Sequence, residues 1–265
     1  MARKHFRRPK TIIVLLKILG IILLLVFPIR TVAVELNIKV DPDVANNTAF
    51  DATSIIKSVT SNLDKDFQYN SNKTIDVIVY SRVKFAAALA NAPTWVEAAY
   101  DGKIHVAIAT DQKDFRMITS QIAHEYTHFI VADMTQNNCP RWFNEGLARY
   151  EEYKHGMPPH LYLLAIAYNS DVLIPWQEIN KQIMSPNAAQ SLLAYQQAFS
   201  FVYYLVTTYG MPKVITLLKK LRTKPDFDIA IQETYEIPLT SIQLNWRSWL
   251  GPFLENWADA PSVVD

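Results

Sequence analysis

The chain has 265 residues, half of them hydrophobic, so it can bury a substantial core without a disulfide scaffold and reads as a globular protein. Its formal net charge of +1 hides an asymmetry, because seven of the 26 basic residues lie in the first 30 positions and leave 19 basic against 25 acidic residues, formally −6, in residues 31–265. That balance excludes a basic nucleic-acid-binding face, and the single cysteine, Cys139, excludes an intramolecular disulfide and a thiolate-rich metal site.

Arg3, Lys4, Arg7, Arg8 and Lys10 precede the apolar run "TIIVLLKILGIILLLVFPI", and no acidic residue occurs before Glu35. This is the pattern of an export signal or a membrane anchor. Residues 11–29 are long enough to cross a bilayer with slight tilt, whereas the uninterrupted part after Lys17 has signal-peptide length and "TVA" before Val34 is an imperfect cleavage site. The balance leans toward a retained anchor. Either way the basic flank stays in the cytoplasm and the rest is extracytoplasmic, membrane-anchored or secreted. Residues 1–33 are therefore set apart from one domain over 34–257 and a tail over 258–265.

Within that domain, 34–47 reads as irregular and a helix is expected over 51–67, with Ile55, Ile56, Val59 and Leu63 on one face. "IDVIVY" at 75–80 is a β-branched strand, followed by a short helix near 84–90. Two alternating runs in "TWVEAAYDGKIHVAIA" meet at Asp101-Gly102, a pair suited to a tight hairpin turn. After Asp111 the apolar period becomes helical to about Asp133, "TQNNCP" interrupts it, and "RWFNEGLARYEEY" resumes it. Helices are expected over about 159–168, 189–208, 212–222, 227–235 and 240–250, with Gly210, Pro225, Pro238 and Gly251-Pro252 as stops. An α/β part over 34–133 and a helical part over 134–257 follow.

The stretch "SQIAHEYTHFIVADM" carries the chemistry. Positions four apart on a helix differ by about 40° in direction and lie about 6 Å apart along the axis, so His124 and His128 can present imidazoles to one ion. Glu125, beside them, is placed to take a proton from water as a general base. Zinc needs a third protein ligand, and Glu145 in "WFNEGLARY" supplies a carboxylate from the next helix. Two histidines and a carboxylate, with the fourth position left to water, form the ligand set of a hydrolytic zinc site. Cys139 reads as a loop or core residue, since no neighbouring basic residue would lower its pKa.

"HEYTH" followed by "NEG", with sixteen residues between His128 and Glu145, resembles the gluzincin metallopeptidases, especially the peptidase MA-like group. The spacing is slightly shorter than in the aminopeptidase N and thermolysin branches. The resemblance covers about residues 75–250 and implies an α+β, zincin-like fold: a small, mostly antiparallel sheet, an active-site helix and a helical C-terminal subdomain. It implies Zn2+ held by His124, His128 and Glu145, with Glu125 activating water. "AYQQAFSFVYYLVTTYG" is similar to the aminopeptidase segment whose tyrosine donates to the oxyanion, and Tyr195 is the matching position.

Departures from the family pattern shape the expected activity. There is no G-x-M-E-N strand to bind a free substrate N-terminus, so an endopeptidase acting on peptides or proteins is favoured over an aminopeptidase. Arg149 stands where thermolysin-like enzymes carry an acidic partner for a ligating histidine; Asn144, Glu151 or a backbone carbonyl are the open alternatives for that duty, and Arg149 is expected to pair with Glu152 or Glu145. The strand "KIHVAI" is expected at a sheet edge able to accept an extended peptide, with His105 as an ordinary strand residue. Rival readings are a catalytically silent, membrane-tethered binding module and a hydrolase of small amides or cell-wall peptides.

Overall fold

The structure, a computed structural model, describes residues 34–89, 96–109 and 115–258. The expected export or anchor segment lies outside the described residues. Among the described residues no helix is long and apolar enough to cross a membrane.

Residues 34–47, expected to be irregular, contain strand β1 (Glu35–Val40), in which Leu36, Ile38 and Val40 alternate with polar neighbours. Helix α1 (Asn46–Asp66) follows and buries Ala52, Ile56, Val59 and Leu63 on one stripe. It carries the chain back to strand β2 (Thr74–Ser81), which pairs with β1 in parallel from Glu35↔Thr74 to Val40↔Val79. Helix α2 (Arg82–Ala88) leaves β2, and strands β3 (Ala98–Tyr100) and β4 (Ile104–Ile108) form the expected hairpin, its turn eased by Gly102 at φ +102°.

The sheet order is β1-β2-β4-β3. The second strand of the hairpin, not the first, pairs with β2, in parallel from Val77↔Ile104, while β3 pairs antiparallel with β4, Ala98↔Val106. The sheet is therefore mixed, with two of its three pairings parallel, and not mostly antiparallel. The cause is the helical crossover through α1, which the missed β1 concealed, together with placement of β3 on the far side of β4. For the same reason "KIHVAI" is not an edge: β4 is internal and fully buried, and β3 forms the edge.

Helix α3 (Arg116–Thr135) is enclosed on most of its circumference. Ile118, Ile122, Ala123, Tyr126 and Ile130 are buried, and its neighbours are α1, β3, β4, helix α4 (Arg141–Lys154) and helix α8 (Met211–Leu221). Two phenols, Tyr126 buried and Tyr69 partly buried, pin its rotation: Tyr126 donates to Asp64 Oδ1 at 2.8 Å, and Tyr69 donates to Asp133 Oδ2 at 2.6 Å. The helix ends where Gln136 turns left-handed at φ 53°, with Asn137 at φ 63° donating back to Ala132 O. Pro140 then opens α4 at φ −57°.

The rest is helical: α5 (Tyr162–Asn169), α6 (Ile179–Ile183), α7 (Ala188–Tyr209), α8 (Met211–Leu221), α9 (Phe227–Tyr235) and α10 (Leu239–Ala258). Asn187 caps α7 by accepting from Ala189 N–H and Gln190 N–H, and Asp226 caps α9. The short α6 was not expected. Helix α10 does not stop at Gly251-Pro252 but runs through Pro252, because Trp249, Phe253 and Trp257 continue one aromatic stripe against Tyr203 of α7. That packing outweighs the hydrogen bond lost at proline. A second aromatic cluster, Trp142, Trp176, Phe201 and Trp246, fastens α4, the loop before α6, α7 and α10 together.

Glu151 of α4 points away from the cleft toward α1 and is completely buried, with Lys154 Nζ at 3.1 Å from its Oε2. Lys154 also bridges to Asp66 at the end of α1, at 2.6 Å. Burial pushes the Glu151 carboxyl up to about 7 from its ordinary 4.5, against the pull of Lys154. The proton it holds favours the folded state fully below 4.5, and that contribution is lost as pH rises through 7. Glu151→Gln is therefore expected to raise stability by about 3 kcal/mol at pH 8 and by under about 1 kcal/mol at pH 5, which urea unfolding at the two pH values measures.

Candidate metal centre

Three helices supply the site. His124, Glu125 and His128 lie on the face of α3 that looks across to α4, Glu145 lies on α4, and Tyr195 lies on α7. The approach of α4 to α7 is at backbone contact: a Cβ on Gly146 would meet Ala198 O at 2.7 Å and Val202 Cγ2 at 2.9 Å. The glycine after Glu145 thus lets α4 settle deep enough for Glu145 to face the α3 imidazoles.

The geometry gathers three of the expected residues at one point. Glu145 Oε2 lies 3.7 Å from His124 Nε2 and 3.7 Å from His128 Nε2. The two rings are 4.8 Å apart and nearly perpendicular, at 86°, and one donor atom from each of the three residues falls within 4.8 Å of the others. Tetrahedral donors about 2.0–2.1 Å from a zinc ion lie about 3.3 Å from one another. The observed spacing is too long for direct hydrogen bonds and close to that of a shared ion.

The ring tautomers agree with this. His124 Nδ1 donates to Glu152 Oε2 at 3.1 Å, and His128 Nδ1 donates to Asn144 Oδ1 at 3.0 Å. Both acceptors fix a proton on Nδ1, so each Nε2 is the ring atom that faces the Glu145 carboxylate, where it holds a second proton or a metal ion. Two ring nitrogens turned on one carboxylate call for positive charge between them, supplied by a proton or by a cation. The group fits a divalent cation on its own chemistry.

The electrostatics of the protein alone express the same demand. Burial would lower the His124 pKa, but the Glu145 and Glu152 carboxylates reverse this and raise it to about 10. Burial opposes ionisation of Glu145, yet His124, His128 and Arg149 hold it down at about 2. Glu125 is 7 % exposed. Burial is the main cause of its raised pKa, countered by the two histidines and reinforced by Glu145 and Glu152. A base whose pKa is lifted toward neutrality is suited to proton transfer.

The sequence matches the family model described as Peptidase MA superfamily over residues 55–252, a stretch that contains every residue named above. The chain belongs to the Peptidase MA superfamily. None of the curated proteins compared matches it. The family gives the chain a metallopeptidase-like role, with peptides or proteins as the substrate class and His124, His128 and Glu145 as a possible metal site.

In this Peptidase MA protein the cleft above the site has a volume of about 620 Å³ and is walled by β3 (Ala98, Tyr100), α3, α4 and Tyr195. Tyr195 stands in the same cleft as the three donors. Its phenol is pushed up to about 12, chiefly by burial and then by Glu145, so it keeps its proton and can donate it. Arg149 lies over the Tyr195 ring at 5.2 Å. Cys139 also lines the cleft, and burial alone pushes its thiol well above the ordinary range. His105 lies elsewhere, between Tyr80 OH and Asp101 Oδ1 at 3.1 Å each, fastening the β3–β4 hairpin.

The residue that sequence reasoning missed is Glu152. Of the open alternatives for the histidine partners, Asn144 serves His128, but Glu152 and not Glu151 serves His124. Arg149 Nη1 grips both oxygens of Glu152, at 3.1 and 2.9 Å, orienting it toward the ring. The signal was available: Glu145, Arg149 and Glu152 are spaced at i, i+4 and i+7, one stripe of α4, whereas Glu151 lies about 100° away from that stripe.

Two outcomes follow from this packing. Glu152→Ala should weaken binding of a divalent ion by about 10–100-fold, read by competition with a chromophoric chelator. Gly146→Ala should cost about 1–3 kcal/mol of stability from overpacking against α7 and weaken the same ion by displacing Glu145, read by melting and by the same competition.

Proposed function

We propose that this Peptidase MA protein is a zinc-dependent endopeptidase working outside the cytoplasm. The observation that carries the reading is the convergence of His124 Nε2, His128 Nε2 and Glu145 Oε2, at 3.7 Å, beside a buried carboxylate that belongs to none of the three donors. A purely structural zinc site has no use for that fourth group.

Zinc held by these residues supplies Lewis-acid polarisation of the scissile carbonyl and lowers the pKa of water. Glu125 takes one proton from the attacking water and returns it to the leaving amine nitrogen as the C–N bond breaks, giving a carboxylic acid and an amine; the acid's own proton then passes to the amine, leaving a carboxylate and an ammonium group. The Tyr195 hydroxyl donates to the carbonyl oxygen as negative charge develops there. Glu152 and Asn144 hold the two imidazoles by their Nδ1 protons, so neither ring can rotate during the reaction.

The edge of β3 supports action on extended chains. Its Ala98 and Tyr100 border the cleft, and an unpaired strand edge accepts a peptide by main-chain hydrogen bonds with little demand on sequence. The absence of a G-x-M-E-N element favours internal bonds over the N-terminal one. The basic and apolar first 33 residues support a location outside the cytoplasm, held at the membrane or released.

The test compares full-length protein with Glu125→Gln on a mixture of unstructured peptides, with zinc content measured on both. Retained stoichiometric zinc and a loss of turnover of at least about 100-fold in the variant are expected; equal turnover, or no zinc in either protein, overturns the reading. Because the ion would join α3 to α4, a chelator should also lower the melting temperature of the natural protein, and an unchanged melt would count against a site that links the two helices.

A further inference from the structure

The metal cleft lies along β3, at one edge of the sheet; the opposite edge is β1, which has no strand on its outer side among the described residues. β1 is six residues long against three for β3, its register with β2 is unbroken by a bulge, and it contains no proline. Of the devices that keep exposed edges from pairing, only charge is present, and it is of both signs, Glu35 and Lys39.

The main-chain groups on this edge have a fixed direction. Glu35 N–H donates to Lys73 O at 3.0 Å and Asp41 N–H donates to Val79 O at 2.8 Å, so the odd-numbered residues turn their backbone groups to β2. The N–H and C=O of Leu36, Ile38 and Val40 therefore point outward along the edge. Glu35, Asn37 and Lys39 stand exposed on one face of the strand, and Leu36, Ile38 and Val40 lie half-buried on the other, packed against the core.

The run Glu35-Leu36-Asn37-Ile38-Lys39 is complementary to itself when reversed. In an antiparallel pair of β1 strands with a two-fold axis at Asn37, Leu36 stands opposite Ile38 of the second copy in a hydrogen-bonded pair, which uses the outward groups just described. Glu35 then stands opposite Lys39 of the second copy in a non-hydrogen-bonded pair, where side chains come closest. An axis at Leu36 sets Glu35 against Asn37, and an axis at Ile38 sets it against Asp41; only the Asn37 register joins opposite charges. The groups are free to respond. Glu35 accepts from Thr74 Oγ1 through Oε2 alone, at 3.1 Å, and the Lys39 side chain is 58 % exposed and 3.7 Å from Asp76 Oδ2. Asn37 Nδ2 gives one proton to Asp76 Oδ1 at 2.6 Å and keeps the other for the same amide across the axis.

We propose that β1 is the interface through which two copies of this chain join edge to edge, as a two-fold dimer with one continuous eight-stranded sheet. The axis consumes both β1 edges, so association closes at two. Both β3 edges and both metal clefts stay open at the far ends of the sheet. One pair of short strands buries the area of a weak, concentration-dependent complex. Nothing in the inference depends on what the metal cleft does.

The test is specific to the register and uses the full-length chain in detergent micelles. Asn37→Cys places two thiols on the axis with their Cα atoms about 4.5 Å apart, close enough for a disulfide, whereas Glu35→Cys places them about 13 Å apart. Oxidation is expected to link Asn37→Cys into a dimer, to leave Glu35→Cys unlinked, and to link Glu35→Cys to Lys39→Cys when the two are mixed. The natural chain, with Cys139 as its only thiol, sets the background. Sedimentation then follows charge. Glu35→Lys alone and Lys39→Glu alone turn both cross-axis pairs into like charges and should each weaken the dimer at least about tenfold. Mixing these two variants, or placing both substitutions in one chain, restores opposite pairs and should return the affinity to within about threefold of the natural value. A monomer at every concentration overturns the proposal. So does a dimer indifferent to the charge reversals, as contact through residues 1–33 or another face would give, and so does Glu35→Cys linking to itself as readily as Asn37→Cys.

Discussion

The close approach of α4 to α7 at Gly146 is the constraint on which the rest depends. A helix that packs through side chains stands about 8–10 Å from its neighbour, and at that separation the α4 carboxylate would be carried away from the α3 imidazoles. With a glycine in contact with Ala198 O, the axis of α4 sinks toward α7, and the ligand face is set by backbone contact and not by long, mobile side chains. The same seating brings Asn144, Arg149 and Glu152 to their partners, so a single residue without a side chain controls four with one.

Helix α3 is the other half of that arrangement. It is buried by α1 beneath, by β3 and β4 along one flank and by α4 and α8 along others, leaving only a narrow strip of its surface open to the cleft. Histidines placed on such a strip have no freedom to seek other partners, and Glu125, turned to the same opening, has few waters to solvate its charge. Burial pushes both carboxyls up, yet Glu125 ends above its ordinary range and Glu145 below it. What separates the two carboxylates is that Glu145 faces both rings and Arg149, while Glu125 feels the rings and two further carboxylates.

How much of this was legible in the sequence depended on whether a feature was local. The pair of histidines, the base between them and the third donor lie on two consecutive helices joined by a short turn, and periodicity alone was enough to bring them together. The hairpin at Asp101-Gly102 was legible for the same reason. Strand β1 was not, because six residues with modest alternation acquire strand character only by pairing with β2, 39 positions later. The hand of the sheet went with it. Helix α10 passes through Pro252 because of an aromatic stripe whose partner, Tyr203, is on another helix. The role of Glu152 escaped because charge type was compared at one position, Arg149, when the duty had moved one turn along the same stripe.

That displacement has a physical consequence. An acidic residue at position 149 would reach His124 directly, but here a cation occupies the place and acts through Glu152, gripping it with Nη1 while its guanidinium lies over Tyr195. Arg149 therefore touches the orienting group of one ligand and the proposed oxyanion donor. Its charge helps keep Glu145 ionised, so one guanidinium serves both the third donor of the site and the carboxylate that orients His124.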